Sequence, residues 1–221
     1  VWDTVMALGS RLHTARGSST GRWSFFVRTT PAACTRHARQ ALAIDEERFD
    51  FQPEVWVGCA SHQTVEQRWF AGSHSNVGGG YVKDGLANIP FRWLVDEASA
   101  LGLAFDHDYL KHFKPYPQAR LYPSTSPLYS LFELLRLRLG GGRRFLLGHP
   151  EASGLSLDRS VVHRLRADPT DHPQLELYRP KNVIRFLAAR DDLPEYLAEL
   201  GLRPEECRLP NDLMGSIEAS S

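Results

Sequence analysis

Residues 65–81 read Val-Glu-Gln-Arg-Trp-Phe-Ala-Gly-Ser-His-Ser-Asn-Val-Gly-Gly-Gly-Tyr. The first part, Val65–Phe70, predicts a short β-strand. The part that follows is polar and ends in three successive glycines, which adopt backbone conformations that other residues resist. We therefore expect a strand whose carboxyl end leads into a tight loop that carries His74.

An apolar segment at the start of the chain predicts another strand. Val1–Leu8 is interpreted as the end of a buried strand that delivers Asp3 and Thr4 at its carboxyl edge, where open α/β sheets place functional groups. The polar stretch Gly9–Pro31 predicts an irregular excursion, because it is rich in glycine and serine. The pattern over Ala32–Ile44 favours a helix.

The chain after the glycine run is predicted to be mostly helical. Pro90 suits the first turn of a helix that Gly102 ends. Apolar spacing predicts further helices over Leu128–Leu139 and Leu193–Leu200, followed by a polar tail. The predicted fold class is therefore α/β, a parallel sheet flanked by helices with a mostly helical C-terminal half.

Composition and charge exclude several classes of protein. The 221 residues carry 26 basic and 26 acidic side chains, so the net charge does not attract nucleic acid. No apolar run reaches the about 18 residues that a membrane-spanning helix needs.

The cysteines do not indicate a disulfide framework or a zinc site, because they are odd in number and lack metal-ligand spacing. They are Cys34, Cys59 and Cys207. Asp106-His107-Asp108 lacks a distant fourth ligand and is interpreted as a solvated loop, so we expect no metal and no cofactor.

Asp3 and His74 occur in the order acid then histidine, as in the catalytic triad of α/β-hydrolases. In a triad, a serine oxygen attacks an acyl carbon, the histidine takes and returns its proton, and the carboxylate fixes the histidine tautomer. The serine would lie upstream of Asp3. Gly17-Ser18-Ser19-Thr20-Gly21 fits Gly-x-Ser-x-Gly, but it follows Asp3 and no apolar strand precedes it. We interpret this segment as a flexible loop.

Three motifs occur in an order that resembles one protein family. They are Val1-Trp2-Asp3-Thr4-Val5, Ala41-Leu42-Ala43-Ile44-Asp45-Glu46 and residues 69–81. Together they are similar to the α/β-hydrolase family of domain-of-unknown-function proteins that includes the type VI secretion phospholipase effectors. The resemblance implies that Asp3 is the triad acid and His74 the triad histidine. It also implies that this chain is the C-terminal part of the hydrolase, with the nucleophile in a Gly-x-Ser-x-Gly elbow before Asp3.

The same resemblance implies supporting residues and two regions. Substrate binding or loop support is expected from Thr4, Ser75, Asn76, Gly78, Gly79 and Gly80. Asn76 stands where the family's motif usually has Asp, a change that keeps an acceptor oxygen but removes a charge. Residues 1–105 would be the C-terminal part of the hydrolase core, carrying the triad acid and histidine. Residues 106–221 would be a helical covering region of the same domain.

The implied function is serine-dependent hydrolysis of carboxylic esters. The enzyme would be a phospholipase or lipase that acts on glycerophospholipid acyl esters, and its biological role would be that of an antibacterial effector. This chain alone is expected to be inactive. Expected partners are a phospholipid or other acyl ester, a peripheral membrane contact and an immunity or secretion partner, with no nucleic acid. The protein would be cytoplasmic in the producing cell and reach a target cell without a classical signal peptide. Two alternatives stay open: a truncated or degenerate non-catalytic interaction module, and a hydrolase of small soluble esters or of an amide.

Two further patterns receive structural interpretations. Asp45, Glu46 and Arg48 are interpreted as charges at a helix end that pair with each other or with backbone groups. The apolar stripe within Leu128–Leu139 is interpreted as core packing, with a lid or lipid-contacting surface as the alternative.

Overall fold

The centre of the molecule is a small parallel β-sheet. A computed structural model describes residues 1–5, 29–48, 51–124, 152–167 and 177–218. Within these residues the strands are β1 (His37–Ala43), β2 (Thr64–Phe70) and β3 (Leu155–Leu157), in the order β1-β2-β3. The strand predicted over Val65–Phe70 is confirmed as β2. Both neighbouring pairs are parallel, so the carboxyl ends of all three strands lie at one edge of the sheet.

The first residues of the chain run alongside β1. Trp2 pairs with Ala41 in a parallel bridge, and the N–H of Asp3 donates to the carbonyl of Ala41 (2.5 Å). Asp3 is completely buried, whereas Val1 and Trp2 are exposed. The prediction that Val1–Leu8 ends a buried strand is therefore wrong for its first two residues, and its last three lie outside the described residues. The chain nevertheless delivers Asp3 beside the carboxyl end of β1.

The strand β1 occupies a segment for which the sequence predicts a helix, so the predicted helix Ala32–Ile44 is wrong. The alanine, arginine, glutamine and leucine residues of this segment favour a helix in isolation. In the structure, residues Gln40–Ile44 are completely buried, with Leu42 in one apolar cluster and Ala41 and Ala43 in another. A strand places alternate side chains on opposite faces, and burial on both faces outweighs the intrinsic preference.

Helices accompany the sheet along the rest of the described chain. In chain order they are α1 (His74–Gly78), α2 (Asn88–Ala100), α3 (His107–Leu110), α4 (Arg159–Arg166), α5 (Lys181–Ala188), α6 (Leu193–Glu199) and α7 (Asn211–Glu218). The helices predicted at Pro90 and over Leu193–Leu200 are confirmed as α2 and α6, whereas α7 replaces the predicted polar tail. The predicted helix Leu128–Leu139 and residues 6–28 lie outside the described residues. None of the described helices is both long and apolar enough to cross a membrane.

Two apolar clusters join the sheet to its helices. The larger cluster joins Leu42, Trp69 and Leu157 of the strands to buried residues of α4, α5, α6 and α7. The smaller cluster contains residues of β1, β2, α1 and α2, and in it Phe70 packs against Trp93 with ring centroids 5.6 Å apart. Adjacent residues of one strand point to opposite faces, so Trp69 and Phe70 belong to different layers. A parallel sheet with flanking helices is compatible with the predicted α/β class.

The second half of the chain contributes a strand as well as helices. The strand β3 pairs with β2 from Gln67–Leu155 to Trp69–Leu157. The N–H of Leu157 donates to the hydroxyl oxygen of Tyr196 on α6 (2.8 Å). Burial raises the pKa of Tyr196, so this hydroxyl stays protonated at neutral pH. The sequence predicts no strand here, because three residues are too few to display a recognisable alternation.

Gly154, which immediately precedes β3, is expected to tolerate no side chain. Its φ is +59°, and an added Cβ would lie 1.9 Å from the carbonyl oxygen of Val65. We expect Gly154→Ala to lower the free energy of unfolding by more than about 2 kcal/mol, because backbone strain and a backbone clash add. Urea unfolding measures this change.

The matched control for that variant is Gly201→Ala. Gly201 also has a left-handed φ, +73°, but an added Cβ there would meet no atom within 4 Å. We expect Gly201→Ala to lower the free energy of unfolding only by the conformational strain, about 1 kcal/mol. Equal losses in the two variants would contradict the clash at Gly154.

Candidate active site

Asp3 is fixed at the end of β1 by the backbone of that strand. One carboxylate oxygen, Oδ1, accepts a hydrogen bond from the N–H of Ala43 (2.9 Å), and the side chain is completely buried. Asp3 has a φ of +38°, a conformation that L-residues rarely adopt. A buried carboxylate held in a rare backbone conformation by a strand end has little freedom to turn away from its neighbours.

His74 meets the second oxygen of that carboxylate. Its Nδ1 lies 2.7 Å from Oδ2 of Asp3, although 71 positions separate the two residues in the chain. The histidine side chain is 30% exposed, while the aspartate side chain is 0% exposed. A carboxylate facing Nδ1 favours the tautomer with the proton on Nδ1, which leaves Nε2 as the basic nitrogen. The structure thus brings the two residues selected from the sequence into direct contact.

The turn before His74 depends on a glycine and an asparagine. Gly72 has a φ of +121°, and an added Cβ would lie 2.4 Å from the Cβ of Asn76. The Oδ1 of Asn76 accepts from the N–H (3.3 Å) and hydroxyl (3.1 Å) of Ser73 and from the N–H of Tyr122 (3.2 Å). These bonds tie the start of α1 to the segment around residue 122. Asn76, expected to support the loop or bind substrate, therefore makes contacts that support the loop.

A second carboxylate, Asp45, holds the loop from the other side. Asp45 directly follows Ile44 after β1, and its Oδ2 accepts from the N–H of Gly72 (2.7 Å). The same oxygen accepts from the hydroxyl of Tyr178 (2.8 Å). In addition, the N–H of Asp45 donates to the carbonyl of Gly72 (2.9 Å). The turn at Gly72 is therefore hydrogen-bonded to the end of β1 in both directions, and His74, predicted to lie in a loop, is the first residue of the short helix α1.

A third carboxylate, Glu46, lies beneath the first turn of α1. It is completely buried, and its Oε2 accepts from the N–H of His74 (3.2 Å). The guanidinium of Arg48 binds it through both oxygens, with Nε to Oε1 at 2.8 Å and Nη2 to Oε2 at 2.9 Å. Burial alone would raise the pKa of Glu46, but the hydrogen bonds from Arg48 and His74 outweigh it and lower that pKa. Glu46 is therefore ionised at neutral pH.

An aromatic contact completes the surroundings of His74. The ring of Phe51 meets the imidazole edge to face, with centroids 5.2 Å apart and planes at 72°. The guanidinium carbon of Arg48 lies 3.6 Å from the centroid of the Phe51 ring. The interpretation of Asp45, Glu46 and Arg48 as structural pairs is correct about the pairing, but they follow a strand instead of a helix. The sequence interpretation also missed their contacts with the histidine loop.

The remaining predicted site residues lie just after Asp3 and His74 in the chain. The carbonyl of Thr4 accepts from the N–H of Glu54 (2.8 Å), and Ser75 is half-buried on α1. Gly79 and Gly80 have φ values of +90° and +118°, but an added Cβ at either would meet no atom within 4 Å. An added Cβ at Gly78 would also meet no atom within 4 Å. Within the described residues, an added side chain at these glycines would therefore cause no clash, and only the φ values of Gly79 and Gly80 favour glycine.

Of the two other candidate segments, Asp106–Asp108 and Gly17–Gly21, the structure describes only the first. Asp106 is the N-cap of α3, and its side chain accepts from the N–H groups of Asp108 and Tyr109. The segment expected to be a solvated loop is therefore the beginning of a short helix. Groups of three or more His, Cys, Asp or Glu side chains able to hold a metal do not occur in the described part of the chain. The segment Gly17–Gly21 lies outside it.

One comparison with known proteins covers the segments that carry Asp3 and His74. Residues 1–97 match the catalytic domain of the Tle1-like phospholipase effectors of the type VI secretion system. The matched range contains β1, β2, α1 and both Asp3 and His74, and it ends within α2. The matched range is less than half of the chain, so it shows a similarity to this family over that range.

A second similarity is shorter. An alignment 69 positions long, which covers 27% of this chain, is 35% identical to Uncharacterized protein YEL023C of Saccharomyces cerevisiae. The chain spans about a tenth of the length of that relative, since the match covers 10% of it. No solved structure matches the chain.

The hydrogen bonds of Asn76 predict how it responds to substitution. All three donors reach Oδ1, an acceptor that aspartate also supplies. We expect Asn76→Asp to stay within about 1 kcal/mol of the wild-type free energy of unfolding at pH 7. Asn76→Ala should lose about 2 kcal/mol or more, because buried N–H groups lose their acceptor. Urea unfolding tests both variants, and equal losses would contradict the acceptor role.

The lowered pKa of Glu46 predicts an acid-dependent contribution to stability. Because the folded state binds this proton less readily than the unfolded state, the contribution is present above the unfolded pKa and is lost as the pH falls toward the folded pKa. Glu46→Gln removes the titrating group. We expect the free energy of unfolding to fall less steeply for this variant than for wild type between about pH 5 and about pH 3. Parallel curves from urea titrations would contradict this prediction.

Proposed function

We propose that this chain carries the acid and the base of a serine-dependent carboxylic ester hydrolase of the phospholipase type. The observation that carries the proposal is the 2.7 Å contact between Oδ2 of Asp3 and Nδ1 of His74. The family match over residues 1–97 supports the reaction class. The proposed substrate is a glycerophospholipid acyl ester, and the proposed architecture is that of an α/β-hydrolase.

The proposed roles follow from the chemistry of the two side chains. His74 takes the proton of the attacking serine at Nε2 and then returns it to the leaving alcohol. Asp3 keeps the other ring proton on Nδ1 and stabilises the imidazolium that forms between the two steps. The exposed part of the imidazole is the side on which a serine and an ester approach, since Asp3 itself is buried.

The serine is proposed to precede Asp3, in a Gly-x-Ser-x-Gly elbow of the complete protein. This placement follows the chain order serine, acid, histidine of α/β-hydrolases. Residues 1–105 then form the C-terminal part of the hydrolase core, and residues 106–221 form a mostly helical covering region that also contributes β3. The chain alone is proposed to be inactive, because a triad without its serine loses nearly all of its acyl-transfer chemistry.

The proposed setting is that of an antibacterial effector. The family match supports a lipid substrate, and we propose an immunity partner that protects the producing cell. We further propose a peripheral contact with the membrane that contains the substrate, a secretion partner and no nucleic-acid partner. The protein is proposed to reside in the cytoplasm of the producing cell until it is delivered into a target cell without a classical signal peptide.

Substitution of the two residues tests the assignment in the complete protein. We expect His74→Ala and Asp3→Asn each to lower kcat for phospholipid hydrolysis by at least about 1,000-fold. The control is His107→Ala, which removes an exposed histidine at the start of α3. Release of fatty acid from phospholipid vesicles measures the rate, and a parallel assay with a short-chain soluble ester separates a lipase from a small-ester hydrolase. Unchanged hydrolysis by His74→Ala would overturn the assignment.

Labelling with a fluorophosphonate tests the place of the nucleophile. The probe reacts with activated serines, so the complete protein should be labelled at a serine that precedes Asp3, and the 221-residue chain should not be labelled. Labelling of this chain at Ser19 would overturn the upstream placement. Absence of labelling and of hydrolysis in the complete protein would favour the non-catalytic interaction module.

A further inference from the structure

The buried charges beside His74 have no role in the proposed mechanism. Glu46 is completely buried, and its partner Arg48 has a side chain that is 22% exposed. A buried ion pair contributes little to stability on average, because the cost of removing two charges from water offsets their attraction. The position of this pair is therefore more informative than its contribution to stability.

The ion pair reaches His74 at two separate points. At the backbone, Oε2 of Glu46 accepts from the N–H of His74 (3.2 Å). At the ring, Arg48 lies 3.6 Å from the centroid of Phe51, and Phe51 meets the imidazole with centroids 5.2 Å apart. We call Glu46, Arg48 and Phe51 the clamp. The carboxylate of Glu46 thus contacts the main chain of His74 directly. It contacts the side chain of His74 indirectly, through Arg48 and Phe51.

The location of His74 explains what such a clamp supplies. His74 is the first residue of a helix of only five residues, whose initial N–H groups have no partner within the helix. Glu46 satisfies one of these groups. Among the described residues the ring makes one hydrogen bond, to Asp3, and 30% of the side chain is exposed. One hydrogen bond leaves rotation about the side-chain bonds available, and the edge contact with Phe51 restricts that rotation.

The charges of the clamp balance one another. Glu46 accepts from the backbone N–H, Nε and Nη2 of Arg48, at 2.9, 2.8 and 2.9 Å. Its negative charge is therefore compensated beside the imidazole. The clamp restrains His74 without placing a net charge next to it, which distinguishes its action from that of Asp3.

We infer that Glu46, Arg48 and Phe51 are positioning residues that hold the His74 ring against Asp3, so that the ring proton stays on Nδ1 and Nε2 remains the basic nitrogen. The purpose of this restraint rests on the proposed function, but the restraint itself does not. A ring released from Asp3 would populate the tautomer with the proton on Nε2, which free imidazole side chains prefer. Such a ring would no longer present a lone pair to a serine.

The tautomer of His74 can be measured in the 221-residue chain without any catalysis. Long-range proton–nitrogen NMR spectra of protein labelled with ¹⁵N-histidine separate the two neutral tautomers. We expect wild type to show the Nδ1–H form at His74, and Glu46→Gln and Arg48→Lys to show a mixture with the Nε2–H form. Arg48→Lys keeps the charge but loses the planar group that binds Glu46 and covers Phe51.

The matched control is Glu97→Gln. Glu97 on α2 pairs with Nε of Arg39 on β1 at 2.6 Å, another partly buried Arg–Glu pair, but neither residue contacts His74. This variant should keep the wild-type tautomer. A wild-type tautomer in Glu46→Gln and Arg48→Lys, together with reduced stability, would overturn the inference and leave the clamp with a merely structural role. An equal change in Glu97→Gln would overturn it as well.

A third variant covers the case in which Glu46→Gln does not fold. Phe51→Leu keeps an apolar side chain and removes only the ring that meets the imidazole, and it should also yield mixed tautomers. In the complete protein, Arg48→Lys should lower kcat by about 10-fold to 100-fold with KM within about twofold of wild type, as expected for a misplaced base. A change in KM alone would overturn the positioning role.

These outcomes separate the inference from the proposed function. If His74→Ala leaves hydrolysis unchanged, the proposed function fails, and the tautomer measurements still decide whether the clamp orients the ring. If His74→Ala abolishes hydrolysis while clamp variants keep both kcat and the wild-type tautomer, the proposed function stands and the inference fails.

Discussion

Parallel pairing along β1 is the constraint on which the rest of the structure depends. The start of the chain pairs with β1 at Trp2–Ala41, and β2 pairs with it on the other side as far as Ala43–Phe70. Because all three segments run in the same direction, the acid that follows the first and the histidine that follows the last emerge at the same end. A shift of one residue in this pairing would exchange the faces of β1 and move the acid away from the histidine.

Three carboxylates, buried or half-buried, therefore lie close together at the end of β1. Each takes a backbone N–H from a neighbouring segment and a second donor from a side chain. The side-chain donors of Asp3, Asp45 and Glu46 are, in that order, His74, Tyr178 and Arg48. Burial of a carboxylate is costly unless its oxygens find such donors. The loop around His74 is consequently held by the groups that it helps to satisfy.

The sequence predicts the parts of this arrangement that are local. The strand β2, the helix at Pro90 and the candidate pair Asp3 and His74 follow from hydrophobic pattern, turn chemistry and motif order. The strand β1 could not be recognised from alanine-rich propensity, although the apolar run Ala41–Ile44 is typical of a strand buried on both faces. The clamp could not be predicted, because a charged cluster usually marks a surface and only long-range pairing buries it.

The separation of 71 positions between the acid and the histidine also has a kinetic consequence. Contacts between distant parts of a chain close large loops and are slow to form, whereas the helices that accompany them form from local contacts. A chain that has collapsed but has not yet paired β1 with both neighbours contains every residue of the site and none of its geometry. The order of strand pairing during folding thus sets the moment at which the acid and the base first exist as a pair.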